Sequence, residues 1–256
     1  MSIDNNQNIK GIILAGGAGT RLYPLTKITS KQLLPVYDKP MIFYPLSVLV
    51  NAGVKEIMII TTKEDQENFK KLLGYGTDWG VNIDYIVQKE PEGIAQSLMI
   101  CEDWINNSSV ALILGDNLFF GPNFNELLID AINNNQGATI FCIESDTPER
   151  FGVIDFDEDF KVLSIEEKPK DPKTNWIVTG LYIYDKSASS LAHTLKKSNR
   201  GEFEITDLNI LSSALLMKKG ISAVNVDSSF SVQSLIDCVN VVNVKLMLCS
   251  PLLFQG

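Results

Sequence analysis

IKGIILAGGAGTRL, residues 9–22, decides how the rest of the chain reads. Its first nine residues, IKGIILAGG, are almost uninterruptedly apolar and rich in β-branched side chains, the pattern of a strand covered on both faces. The strand runs straight into a glycine turn, GGAGTRL, at residues 16–22. Turns at the carboxyl end of a parallel strand are where α/β sheets hold ligands. Glycines there let backbone N–H groups approach phosphate oxygens with no Cβ in the way. The turn is not a P-loop, which needs GxxxxGK[ST]. Nor is it a dinucleotide fingerprint, because after Gly17 and Gly19 the third glycine position is Leu22. No ribose-binding acid follows at the right spacing either, which argues against a nicotinamide-dependent dehydrogenase. Taken alone, the glycines leave a ligand-free tight turn equally open.

Outward from this loop, short apolar runs alternate with amphipathic ones. VKEIMIITT (54–62), NIDYIVQ (82–88), VALILGD (110–116) and GATIFCIES (137–145) read as strands. Helices are predicted over residues 40–52, closed by Gly53, over EDQENFKKLL (64–73), and over IAQSLMICEDWI (94–105). Beyond Phe151 the character changes: FGVIDFDEDFKVLSIEEKP (151–169) predicts a hairpin beside the main sheet. VTGLYIYD (178–185) is another strand and EITDLNILSSALLMKKG (204–220) a long helix. Alternating strands and helices imply the α/β class, a Rossmann-like three-layer α/β/α arrangement with a mixed, mostly parallel central sheet. No repeat or low-complexity linker interrupts the chain, so one domain over 1–256 is expected.

Composition narrows the function. The 256 residues are 45% hydrophobic and 21% charged, ordinary for a globular chain with a full core. A net charge of −9 argues against a face for nucleic acid polymers but not against handling a single nucleotide. Cys101, Cys142, Cys238 and Cys249 are far apart, and with His193 the one histidine there is no zinc spacing. They read as reduced thiols of a cytoplasmic protein. The start, MSIDNNQNIKG, lacks the apolar core of a signal peptide. The apolar stretch 239–254 is interrupted by Asn243, Lys245 and Ser250, so no membrane span is expected. Against this acidic background, residues 21–39 hold Arg21, Lys27, Lys31 and Lys39 with Asp38 alone, four minus one, a local charge of +3. Arg21 adjoins the glycines and Lys31 sits in SKQLLPV, a poor place for an idle charge. Such cations suit a triphosphate and a departing pyrophosphate.

GIILAGGAGTRLYPLTKITSKQLLPVYDKPMIFYPLSVLVNAG (11–53) resembles the N-terminal signature of the glucose-1-phosphate thymidylyltransferases, a branch of the sugar nucleotidylyltransferase family. The likeness continues through QKEPEGIAQ, LILGDNLFFG, PERFGVIDFD, SIEEKPK, NWIVTGLYIYD and RGEFEITDLN, and so covers residues 9–210 in order. It implies transfer of a deoxythymidylyl group from deoxythymidine triphosphate (dTTP) to glucose 1-phosphate, with Mg2+ as cofactor, by a single in-line displacement. Arg21, Lys31 and Lys168 are then the expected catalytic cations. Leu14, Gly16, Gly17, Gln32, Gln88 and Gly93 would bind the nucleotide, the last two at the base. Asn117, Gly152, Glu167, Val178 and Arg200 would line the sugar-phosphate pocket. Asp116, at the end of VALILG, would hold the metal; read alone it is equally a turn-forming Asp. Without the family, EEKPK and NRGE would pass as solvated charge runs.

The pattern departs from the family after about Gly220. A Trp-x-Asp-Thr-Gly segment that supplies a second acidic ligand is replaced by VNVDSSFSVQSLIDC, where Asp227 is the stand-in or the segment is deleted. Residues 221–256 therefore read as an atypical, shortened region, which bears on the homo-oligomer and feedback inhibition that the family implies. Alternatives are a uridylyl- or cytidylyltransferase of the same fold, and an inactive nucleotide-sugar binding protein.

Overall fold

The structure is a computed structural model and describes residues 2–3, 8–17, 19–121, 123–158, 161–215 and 221–225; for Arg21, 213–215 and 221–225 it describes the backbone alone. The strands of the first half are β1 (Ile9–Ala15), the two-residue pair β2 (Pro35–Val36) and β3 (Lys39–Pro40), β4 (Glu56–Thr61), β5 (Asn82–Val87) and β6 (Ser109–Leu114). Those of the second half are β7 (Ala138–Glu144), β8 (Gly152–Phe156), β9 (Val162–Glu167), β10 (Trp176–Tyr184) and β11 (Ile221–Asn225). The helices are α1 (Phe43–Ala52), α2 (Gln66–Leu73), α3 (Gln96–Ile100), α4 (Glu102–Ile105), α5 (Phe124–Asn134), α6 (Ala188–Ala192) and α7 (Ile205–Leu215).

β1 lies inside the main sheet, whose order is β11-β7-β10-β6-β1-β4-β5. It pairs in parallel with β4 on one side and β6 on the other, and β5 extends the parallel run. Successive side chains of a strand face opposite ways, so Ile9, Ile13 and Ala15 enter one core and Ile12 the other. The first core takes Leu46 and Leu49 of α1, Phe69 and Leu73 of α2, and Leu128 and Ile132 of α5. The second takes Leu98 of α3, Ile105 of α4, Ala192 of α6 and Leu208 of α7. Both faces are covered, which is why β1 is apolar but for Lys10, whose Nζ is satisfied by the Trp104 carbonyl (2.7 Å) and the Glu56 carboxylate (2.8 Å). Each fully buried Ile or Leu contributes about 1.5–3 kcal/mol. The three-layer expectation and the mixed sheet are thus the observed architecture.

Two local readings differ in detail. Pro40 belongs to the β2–β3 hairpin and α1 begins only at Phe43. The stretch 94–105 is two short helices broken at Cys101 (φ −100°, ψ 5°). β10 inserts antiparallel between β6 and β7, an exchange of neighbours that no local pattern encodes. The hairpin over 151–169 is present as β8–β9 and joins the sheet where Val153 meets Ile177 of β10. Burial pushes the thiols of Cys101 and Cys142 up to about 12, which keeps both protonated at neutral pH. Cys238 and Cys249 lie outside the described residues, as does any structure over 226–256. Among the described residues no helix is long and apolar enough to cross a membrane.

Candidate active site

Strand order reverses at β1: the chain builds β4 and β5 to one side, then crosses back to place β6 on the other. Ligands bind at such a crevice, beyond the carboxyl ends of the parallel strands. Gly16 and Gly17 leave β1 at that edge. Gly115 leaves β6 there too, and its N–H donates to the carbonyl of Leu14 (2.9 Å), stitching the two strand ends together. Lys31 opens a short 3-10 turn, Lys31–Leu33, whose Gln32 is buried beneath Gly115. Gln32 Oε1 accepts from Ser30 Oγ (2.5 Å), and Ser30 N–H donates to Asp65 Oδ1 (2.9 Å). This packing aims Lys31 outward at Asp116, the residue after Gly115, with Nζ 2.7 Å from Oδ2. Their side chains are 16% and 31% exposed, so the pair is poorly screened yet open to a ligand. The backbone of Arg21 lies in the 3-10 turn Thr20–Leu22, and its side chain is outside the described set.

Gln88 follows β5 and is buried against the glycine loop: a Cβ on Gly16 would lie 2.6 Å from Gln88 Oε1. Only a residue without a side chain admits this approach. Gln88 Nε2 donates to Gln96 Oε1 (2.6 Å), and Gln96 Nε2 donates to Glu92 Oε2 (2.9 Å). Gly93 has φ 105°, and a Cβ there would meet the Phe203 carbonyl at 2.4 Å. Phe203 N–H donates to the Glu92 carbonyl (2.6 Å) and its own carbonyl accepts from Ala95 N–H (3.3 Å), so the loop at Gly93 is pinned to the opposite wall.

That opposite wall is the β8–β9 hairpin with β10 and the start of α7. Gly152 pairs with Glu167 across the hairpin, and a Cβ on Gly152 would touch Glu167 Oε2, Thr206 Oγ1 and Val178 Cβ at 3.3, 3.5 and 3.8 Å. Thr206 Oγ1 donates to Glu167 Oε2 (2.9 Å), leaving Oε1 to two cations: Lys168 Nζ at 3.5 Å and a terminal nitrogen of Arg200 at 3.7 Å. Lys168 sits at φ 46°, a left-handed conformation that costs a non-glycine roughly 1–2 kcal/mol. Its N–H donates to the Phe151 carbonyl (2.9 Å), which holds it there. Strain of this kind is typical of functional positions. Arg200 also pairs with Glu202 (2.6 Å) and twice with Glu204, through Nε and a terminal nitrogen at 3.1 Å each. Burial opposes its charge, but the Glu204 and Glu202 carboxylates outweigh it and hold the guanidinium firmly protonated. Burial, then Glu204 and Glu167, raises Asp207 above the ordinary carboxylate value.

The two walls meet at Asn117. Its Nδ2 donates to Asp116 Oδ1 (3.1 Å), and its Oδ1 accepts from the Gly180 N–H of β10 (3.1 Å). A register shift in β10 between Val178 and Tyr182 turns that N–H toward Asn117. The structure therefore brings together Lys31, Asp116 and Asn117 on one side, and Gly152, Glu167, Lys168, Val178 and Arg200 on the other. Asp227 lies outside the described residues. Gln96, Glu204 and Thr206 stand in motifs already quoted, QKEPEGIAQ and RGEFEITDLN, yet no spacing rule gave them a role; only the fold turns them inward. Among the described residues no group of three or more His, Cys, Asp or Glu side chains gathers to hold a metal.

Residues 10–228 match the nucleotidyl transferase family. A glucose-1-phosphate thymidylyltransferase of Neisseria meningitidis is 57% identical over 201 residues, covering 78% of this chain and 70% of that protein. The enzyme of the same name from Mycobacterium tuberculosis is 50% identical over 201 residues, covering 78% of this chain and 69% of its own. Among solved structures, a Bacillus anthracis protein assigned as a glucose-1-phosphate thymidylyltransferase, in complex with a sucrose, superposes with a TM-score of 0.78 at 39% identity. That superposition covers 93% of this chain and 97% of the other. A UDP-glucose pyrophosphorylase complexed with UDP-glucose superposes with a TM-score of 0.74 at 25% identity, over 91% of this chain and 97% of that one.

Proposed function

The chain belongs to the nucleotidyl transferase family, and from that premise we propose that it transfers a deoxythymidylyl group from dTTP to glucose 1-phosphate, releasing pyrophosphate. The relatives named for that reaction support the choice of substrates. The observation that carries the reading is the continuity Lys31–Asp116–Asn117–Gly180, which joins the glycine loop to the sugar-side wall through two consecutive side chains.

A phosphate oxygen of glucose 1-phosphate is already an anionic nucleophile, so no activated Ser, Cys or His is required. In this proposal that oxygen attacks the α-phosphorus of dTTP, a new P–O bond forms, and the bond to the bridging oxygen of pyrophosphate breaks. The work of the protein is to position two polyanions and offset their repulsion. Arg21 and Lys31 brace the triphosphate and its leaving group over the Gly16–Gly17 backbone, with Leu14 and Gln32 as the floor. Lys168 and Arg200 hold the sugar phosphate, and Glu167, oriented by Thr206, accepts from sugar hydroxyls beside Asn117, Gly152 and Val178. Asp116 fits a Mg2+ bound in the usual way, by one or two carboxylates with phosphates and waters, and Asp227 is proposed as the second. Bound there, the ion would neutralise charge on the phosphates. The same reading includes a single domain over 1–256, a homo-oligomer and a cytoplasmic location.

Pyrophosphate release from the purified protein with Mg2+, glucose 1-phosphate and each nucleoside triphosphate in turn tests the proposal. Release fastest with dTTP supports it; release fastest with another nucleotide reassigns the substrate, and none with any reassigns the chain as a binder.

A further inference from the structure

A hydrogen-bonded chain of four side chains runs from the surface to the base position: Lys197, Glu92, Gln96 and Gln88. Amides can point either way, but the groups at the Glu92 end cannot. The Glu92 carboxylate, ion-paired with Lys197, accepts and does not donate. It therefore takes the NH2 of Gln96. The Glu92 backbone N–H donates and does not accept, and it reaches Gln96 Oε1 at 3.3 Å. Two groups of fixed polarity thus set Gln96 with its oxygen toward Gln88. Gln88 must answer with its own NH2, at 2.6 Å, which turns Gln88 Oε1 to the Gly16 loop. Among the described residues no group donates to that oxygen.

We infer that Lys197, Glu92 and Gln96 are positioning residues that lock the polarity of Gln88, so that it presents an acceptor to the base and selects pyrimidines carrying an N3–H donor. The inference rests on the proposed reading of Gln88 as the base contact. Thymine and uracil offer N3–H and are accepted; cytosine offers a lone pair there and is rejected, since a buried acceptor facing a lone pair loses its hydrogen bond and its solvation together. The relay does not separate thymine from uracil, whose imide edges are alike.

The test compares kcat/KM for dTTP, dUTP and dCTP at saturating glucose 1-phosphate in wild type, Gln96→Leu, Glu92→Gln and Gln88→Ala. Gln96→Leu frees Gln88 to invert, and the dTTP-to-dCTP ratio should fall roughly tenfold. Glu92→Gln keeps the shape but loses the fixed polarity at one of two points, so a smaller fall is expected; being isosteric, it carries the test if Gln96→Leu folds poorly. The dTTP-to-dUTP ratio and the KM for glucose 1-phosphate should stay put in both, which a general loosening of the site would not allow. If Gln88→Ala lowers discrimination while the other two variants keep the wild-type ratio, the relay is wrong and the base contact stands. An unchanged ratio in Gln88→Ala removes the base contact and the relay with it.

Discussion

On the proposed nucleotide side, the wall built by the strand ends rests on close backbone approach at glycines. Gly16 and Gly17 follow β1, Gly93 turns against Phe203, and Lys31, the cation proposed for the phosphates whose side chain is described, is paired with one carboxylate. On the proposed sugar side the material is side-chain charge: Arg200 is held by Glu167, Glu202 and Glu204, and Lys168 leans on the same Glu167. The supporting elements differ accordingly. Parallel strand ends converge on one crevice and leave it through glycine turns, whereas the antiparallel hairpin sets Gly152 beside Glu167 on one face. Under the proposed assignment, a phosphate arriving at the nucleotide side would displace one ion pair, and one arriving at the sugar side would compete with a network. The difference teaches that the same polyanion chemistry can rest on close backbone approach or on pre-paired cations, and that the two should fail differently.

The largest break expected is at Lys31. Lys31→Ala should lower kcat by about 10²- to 10³-fold, the scale of losing one charged transition-state contact, with little change in melting temperature. Turnover within a few-fold of wild type would remove Lys31 from the phosphate cradle. Next comes Arg200→Ala, which should lower kcat/KM for glucose 1-phosphate by about 10- to 100-fold while the KM for the nucleotide holds. Equal effects on both substrates would merge the two walls into one site without division of labour.

Gly93→Ala sharpens the contrast from the stability side. A residue with a Cβ at φ 105°, 2.4 Å from a carbonyl oxygen, should cost about 1–3 kcal/mol. Thermal or urea unfolding measures it, and a loss below experimental error would mean the loop moves freely from Phe203. The smallest effect belongs to Asp207. Its folded pKa is raised, first by burial and then by Glu204 and Glu167, so the folded state holds this proton more tightly than the unfolded chain. The associated stability is present at low pH and lost as pH rises through the window between the ordinary value of 3.8 and the raised one. Asp207→Asn should remove that loss, raising the melting temperature at pH 7 by at most about 2 °C and not at pH 3. A variant that melts lower at pH 7 would show that the Asp207 charge supports the Arg200 network.

Legibility in the sequence was uneven for the same reason. β1 and its loop were readable because an apolar β-branched run followed by glycines has few other uses, and Lys31 stood out as a charge among apolar neighbours. Arg200, Lys168 and Glu167 read as solvated charges by pattern alone, since nothing local separates a cation at a site from one in water; the family resemblance pointed to them. Glu204, Thr206, Gln96 and Glu92 received no role at all. Their contacts join residues as distant as Glu92 and Lys197, or Glu167 and Thr206, and no periodicity spans such separations.

The amino-acid sequence by itself determined the layered fold and the edge of the sheet proposed for the ligands, because hydrophobic period and glycine placement are local properties that burial enforces. The tertiary structure alone decided that β10 threads antiparallel between β6 and β7, that Asn117 bridges the two walls, and that Gln88 turns its oxygen to the Gly16 loop. Each of these depends on which distant groups are forced to share one buried hydrogen bond, and that pairing exists only once the chain has closed on itself.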